Sequence, residues 1–166
     1  RYGFAGICVN TVHIALAAQV LQGSALNVCT GVGFPLGASG YLLKAMETRD
    51  AVAGGADEID MVVNIGKVLG EDWSYVSEEI RSINEAVVSN GAILKVIFEN
   101  DYLEDRHIIQ LCQICSENNV AFVSKSLTNA NIGSTTCNCN ASPRAFAICL
   151  NAHTLFRRCE PKTSLV

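Results

Sequence analysis

Five apolar runs, separated by four segments each long enough for a helix, constrain this chain more than any other feature. Residues 4–9, 26–32, 58–63, 93–98 and 120–124 read as strands. The segments 12–21, 39–53, 73–89 and 103–117 read as helices. Asn10-Thr11 and Ser39 supply N-caps, and Gly23-Ser24, Gly54-Gly55 and Asn90-Gly91 supply stops. A strand that is followed by ten or more helical residues and then by another strand makes a βαβ crossover. A succession of crossovers makes a parallel sheet. The expected class is α/β.

Composition supports this reading. Apolar residues make up 49% of the chain and charged residues only 17%, which suits strands buried on both faces better than it suits an amphipathic bundle. The 166 residues, at net charge -4, are enough for one core. They carry no basic stripe for a phosphate backbone, so no nucleic-acid partner is expected. No apolar stretch has the length of a membrane span, so no membrane partner is expected either. The apolar residues 14–21 are interrupted by Gln19 and followed by no small-residue cleavage pattern, so a secretory leader is not expected and a soluble cytoplasmic location is. Arg1 already leads into a strand-like run, so a preceding segment is expected. Of eight cysteines, Cys8, Cys29, Cys112 and Cys115 fall on strands or an apolar helix stripe and read as small core residues. Cys137, Cys139, Cys149 and Cys159 crowd into the last part of the chain.

The polar residues Asn10, Thr30, Asn64, Glu99 and Ser126 stand at the C-terminal ends of the strands, the edge where barrels and open α/β sheets do their chemistry. Gly33-Phe34-Pro35-Leu36-Gly37 follows the second strand as a tight loop. No G-x-G-x-x-G and no Walker loop is present, so a barrel is preferred over a nucleotide-binding doubly wound sheet. Strand alternation puts Asp60 on one face with Val62 and Asn64. A carboxylate inside a barrel needs a cationic or hydrogen-bonding partner, which makes Asp60 the first catalytic candidate. Lys95 in the neighbouring strand is the expected partner. Asp57 and Glu58, at the start of the strand, are expected to be solvated. Lys125, near the end of the fifth strand, is the candidate nucleophile, because a shielded lysine with a lowered pKa attacks carbonyls to form a Schiff base.

The strings AGICVN (5–10), VCTGVGFPLGAS (28–39), KAMETRDAVAGGADEIDMVVN (44–64) and LKVIFEN (94–100) together resemble the deoxyribose-phosphate aldolase family, in order and in spacing, over about three quarters of the chain. The resemblance implies a partial TIM (β/α)8 barrel whose strands correspond to the family's second to sixth. It implies a class I aldolase, a lyase that reversibly cleaves the sugar phosphate 2-deoxy-D-ribose 5-phosphate to acetaldehyde and D-glyceraldehyde 3-phosphate with no cofactor and no metal. Asp60 then matches the family's proton-shuttling aspartate, Lys95 a lysine kept near the site, and Cys8 a strand cysteine of no required role.

The family's Schiff-base lysine sits in F-[VI]-K-T-S-T-G, whereas this chain reads FVSKSLTN, with Ser124 in the lysine's place and Lys125 one residue later. A one-residue slip turns a side chain to the other face of the sheet, so Lys125 reaches the barrel interior only if a bulge absorbs the extra residue. Residues 1–129 are read as the partial barrel and 130–166 as a divergent tail without the family's second lysine motif or phosphate loop. Lys162, the only later lysine, has no strand before it. That loss keeps open an inactive barrel fragment that serves only as an interaction partner, and the open sheet edges predict association, a homo-oligomer included. Cys112 and Cys115 with Cys137 and Cys139 form an alternative zinc pattern, and His13, His107 and His153 are expected at the surface.

Overall fold

The computed structural model describes residues 4–125 and the backbone of 136–138. Ser126, Lys162, His153 and the side chains of the four C-terminal cysteines lie outside the described residues. Strands β1 (Gly6–Cys8), β2 (Asn27–Val32), β3 (Glu58–Val62), β4 (Ile93–Ile97) and β5 (Phe122–Ser124) stand side by side in chain order, all parallel. Helices α1 (Ile14–Val20), α2 (Tyr41–Ala53), α3 (Ile65–Leu69), α4 (Trp73–Val88) and α5 (Asp105–Glu117) connect them. Each new strand adds beside the last, without the reversal of order that defines a doubly wound sheet. Right-handed crossovers that always step in one direction leave all the helices on one face, which is the winding of a barrel wall. A short strand β6 (Thr136–Asn138) pairs antiparallel with β5 and covers that edge.

The helix-facing side of the sheet is the core. Val28 and Val32 on β2, Ile59, Met61 and Val63 along β3, and Leu94 and Val96 on β4 are buried there. α4 answers with Val76, Ile80, Ile83 and Val87, an apolar stripe at helical spacing, and α5 with Ile108, Leu111, Cys112 and Cys115. Burying such aliphatic side chains contributes about 1.5–3 kcal/mol each before chain entropy is counted.

Several boundaries differ from expectation for local reasons. Ser39 does not cap α2. Gly40 holds that position, and the first helical N–H, of Tyr41, donates instead to Tyr75 Oη at 3.1 Å. Residues 11–13 and 100–102 form single 3-10 turns ahead of α1 and α5, and α3 is an additional short helix capped by Asn64. His107 is not a surface residue. It is 2% exposed, because its Nδ1 accepts the Glu104 N–H in a capping box. Cys8 is exposed rather than core, since it stands on the open inner face of the first strand. Among the described residues, no helix is long and apolar enough to cross a membrane.

Candidate active site

Parity along the strands sets the inner face. Asp60 is the register partner of Lys95 on β4 and of Gly31 on β2, and Cys8 is the partner of Cys29, so these residues project to one side. Lys95 Nζ lies 2.8 Å from Glu58 Oε2 and 2.9 Å from Asp60 Oδ1. Its contact with Asp60 is an ion pair without hydrogen-bond alignment, and Asp60 Oδ1 receives no aligned donor although the atom is buried. Lys95 also donates to Cys29 Sγ at 3.7 Å. Glu58, expected to be solvated, accepts from Asn27 Nδ2 at 2.7 Å and takes part in the cluster, because it shares the face of Asp60 two residues away.

The three charged side chains are 16% (Lys95), 23% (Glu58) and 27% (Asp60) exposed. Burial alone pulls the Lys95 ammonium pKa down. The adjacent charges of Asp60 and Glu58 more than offset it, and the net result lies above the usual lysine range. For Glu58, burial pushes the carboxyl up, but the hydrogen bonds from Lys95 and Asn27 hold it below the usual range. Lys95 is therefore a fixed cation, set between two carboxylates on the inner face.

Behind this cluster, on the helix side of β3, lies a pair that strand reading alone does not reveal. Lys44 on α2 and Glu79 on α4 meet at 2.7 Å with both side chains fully buried. Lys44 Nζ donates to Val62 O at 2.7 Å, and Asn64 N donates to Glu79 Oε2 at 2.9 Å. The pair thus fixes the backbone at the end of the strand that carries Asp60. Its signal in the sequence is a charge within an apolar helical stripe: Lys44 is in register with Thr48 and Ala51, and Glu79 with Val76 and Ile83. The loop after β2 is fastened to the same layer, with Gly33 N donating to Glu47 Oε2 at 3.0 Å. Gly37, at φ 64, passes so close to β3 that a Cβ there would lie 1.9 Å from Val63 O.

The structure brings Asp60 and Lys95 together and places Lys125 apart from them. Ser124 is aligned with Ile97 and so shares the inner face, while Lys125 lines a small cavity with Phe98, Ile108 and Cys112 between β4, β5 and α5. The irregularity in the ladder lies just after β4. Phe98 N donates to Ser124 O and Asn100 N to Lys125 O, so two residues of one strand span a single step of the other, with Glu99 left-handed at φ 56.

No family model matches the chain. The deoxyribose-phosphate aldolase of Clostridium perfringens (strain SM101 / Type A) is 41% identical over 126 residues, 76% of this chain and 56% of that protein. The deoxyribose-phosphate aldolase of Streptococcus equi subsp. zooepidemicus is 45% identical over 125 residues, 75% of this chain and 56% of that protein. Among solved structures, an aldolase named QR15 aligns with a TM-score of 0.71 at 34% identity over 80% of this chain and 58% of its own. A tetrameric deoxyribose phosphate aldolase from Aeropyrum pernix aligns at 0.68 and 26% identity over 75% of this chain and 52% of its own. The chain spans about half the length of the curated relatives it matches. By sequence and by fold, over about three quarters of its length, this chain belongs to the deoxyribose-phosphate aldolase family.

Proposed function

We propose that this chain carries part of the active centre of a cytoplasmic deoxyribose-phosphate aldolase that acts in deoxyribonucleotide catabolism. The observation that carries the reading is the Lys95 cation held between Glu58 and Asp60 on the inner face of a barrel wall, in a chain more than two fifths identical to aldolases. A class I aldolase needs an amine to condense with the substrate aldehyde and a carboxylate to move protons around the resulting iminium. Asp60 is the proton carrier, and Lys95, 2.9 Å away, holds it in place.

Lys125 is the proposed amine. It stands one residue past the place of the family's Schiff-base lysine, in FVSKSLTN, at the C-terminal end of β5. In the reaction, the Lys125 nitrogen adds to the C1 aldehyde of open-chain 2-deoxy-D-ribose 5-phosphate and water leaves. The C2–C3 bond then breaks as the C3 hydroxyl gives up its proton. Glyceraldehyde 3-phosphate departs, the enamine is protonated at C2, and hydrolysis frees acetaldehyde. Leu42, Leu43 and Met46, exposed together on α2, support association of copies, which sedimentation checks.

Borohydride trapping with deoxyribose 5-phosphate, followed by mass spectrometry of the peptides, tests the assignment. The expected product is a reduced adduct on Lys125. An adduct on Lys95 moves the nucleophile to β4, and no adduct on the folded chain favours the inactive barrel fragment.

A further inference from the structure

The geometry points to a binding site for a thiophilic divalent cation, of the zinc or cadmium class, formed by Cys8, Cys29 and Asp60 in competition with the Lys95 ammonium. The two thiols come from register partners on adjacent strands, and one ligand atom from each of the three residues lies within 4.8 Å of the other two. Tetrahedral sites with metal–ligand bonds of about 2.0–2.3 Å place their ligands about 3.5–4 Å apart, so rotamer adjustment of about 1 Å closes this set. Two sulfurs with one oxygen select zinc or cadmium over magnesium or calcium. Cys8 is exposed and gives the ion a way in, while Asp60 Oδ1 is buried and receives no aligned hydrogen bond.

The site already holds a cation. Lys95 lies 2.9 Å from Asp60 and 3.7 Å from Cys29 Sγ, so a metal must move it. Glu58, at 2.8 Å, offers the ammonium a retained partner. Binding breaks two S–H bonds, forms two metal–thiolate bonds and one metal–carboxylate bond, and releases two protons to water. One dication in and two protons out leave the net charge of the cluster unchanged. Affinity therefore rises with pH. A bound ion separates Asp60 from Lys95 and takes up the oxygen assigned to proton transfer, so it acts as an inhibitor. Binding itself does not depend on the aldolase reading.

Cadmium titration of the full chain, followed by thiolate-to-cadmium charge-transfer absorbance and cadmium NMR, tests the site. The other six cysteines add sites of their own, so the readout is a difference between variants. Cys8→Ser, an exposed substitution, is expected to remove one equivalent, and Asp60→Asn to weaken the same equivalent. Cys115→Ala on α5 leaves it in place. Lys95→Met is expected to tighten it by about tenfold or more, because the competing charge is gone. An unchanged stoichiometry in Cys8→Ser overturns the proposal, as does a Lys95→Met affinity that stays the same or falls. Every variant is first checked for folding by circular dichroism. Since the signal is binding, a chain without aldolase activity still answers the question.

Discussion

Two lysine–carboxylate contacts stand back to back across β3, and they teach opposite lessons about charge in this protein. Lys44 and Glu79 meet behind the strand with no solvent contact, whereas Lys95 meets Glu58 and Asp60 in front of it, partly open to water. Burial is the largest influence on both lysines, but the outcome differs. It draws Lys44 below the ordinary lysine range and pushes Glu79 above the ordinary glutamate range, because one carboxylate does not offset the desolvation of a sealed pair. Lys95 is raised, because two carboxylates face it. The rear pair acts as a backbone fastener, and the front cluster as a charge-holding device.

The largest expected effect comes from breaking the rear pair on one side. Glu79→Leu leaves the Lys44 ammonium uncompensated in the core and is expected to cost about 3–5 kcal/mol, read from urea unfolding. Lys44→Met together with Glu79→Leu removes both charges at similar volume. It is expected to recover part of the loss, with about 1–3 kcal/mol remaining for the orphaned Asn64 N–H and Val62 carbonyl. If the double variant loses the sum of the two single losses, the pair is not a unit and the contrast with the front cluster fails.

The loop between the two regions comes next. Gly37→Ala introduces a Cβ into the Val63 carbonyl at a positive φ, so the end of β3 or the loop must shift, at about 2 kcal/mol or more. The displacement reaches β3 next to Asn64. The amides of Val63 and Asn64 are therefore expected to exchange hydrogen faster in this variant, while those of Leu94 and Val96 keep their protection. Uniform loss of protection across the sheet would show that the loop has no special grip on β3.

Much of this arrangement is legible in the sequence, and the rest is hidden for identifiable reasons. The alternation of apolar runs with capped helices fixes the parallel sheet, and strand parity pairs Asp60 with Lys95 on one face. The same parity applies to Glu58, yet its position at the start of the strand suggests solvent. Only the neighbouring strands show that Asn27 and Lys95 reach it. Lys44 and Glu79 lie 35 residues apart on two helices, and no local period tells that their side chains meet. His107 reads as a surface histidine, because a histidine in place of Glu or Gln at the third position of a capping box gives no sequence signal and its neighbour Trp73 lies far away in the chain. For Lys125 the sequence poses a parity question: along β5 it is Ser124 that aligns with Ile97, and the extra residue of the ladder falls after β4, at Glu99, not in β5.

The front cluster gives a moderate effect. Lys95→Met leaves Glu58 and Asp60 as unshielded neighbours. Partial exposure limits the cost to about 1–2 kcal/mol at neutral pH, well below that of the rear pair. Carboxyl NMR is expected to show Glu58 titrating at higher pH in this variant than in the parent. No movement would mean that Lys95 does not govern its charge.

The smallest effect has the most specific signature. Glu58→Gln keeps an acceptor for Asn27 and removes only the charge, leaving Lys95 with Asp60 alone. The folded pKa of Glu58 is depressed, so its contribution is present above the unfolded value near about 4.3 and is lost as pH falls through the lower folded value. The stability difference between parent and Glu58→Gln is therefore expected to be constant near neutrality and to close on acidification below about pH 4. Glu79 has the opposite sign. Its folded pKa is raised, so the penalty for ionising it appears as pH rises from the unfolded value through the folded one, and Glu79→Gln shows its effect in that higher window. Urea midpoints for both variants across the acidic range separate the two curves. A Glu58→Gln difference that widens on acidification would place Glu58 in the same class as Glu79 and remove the distinction between the two faces of β3.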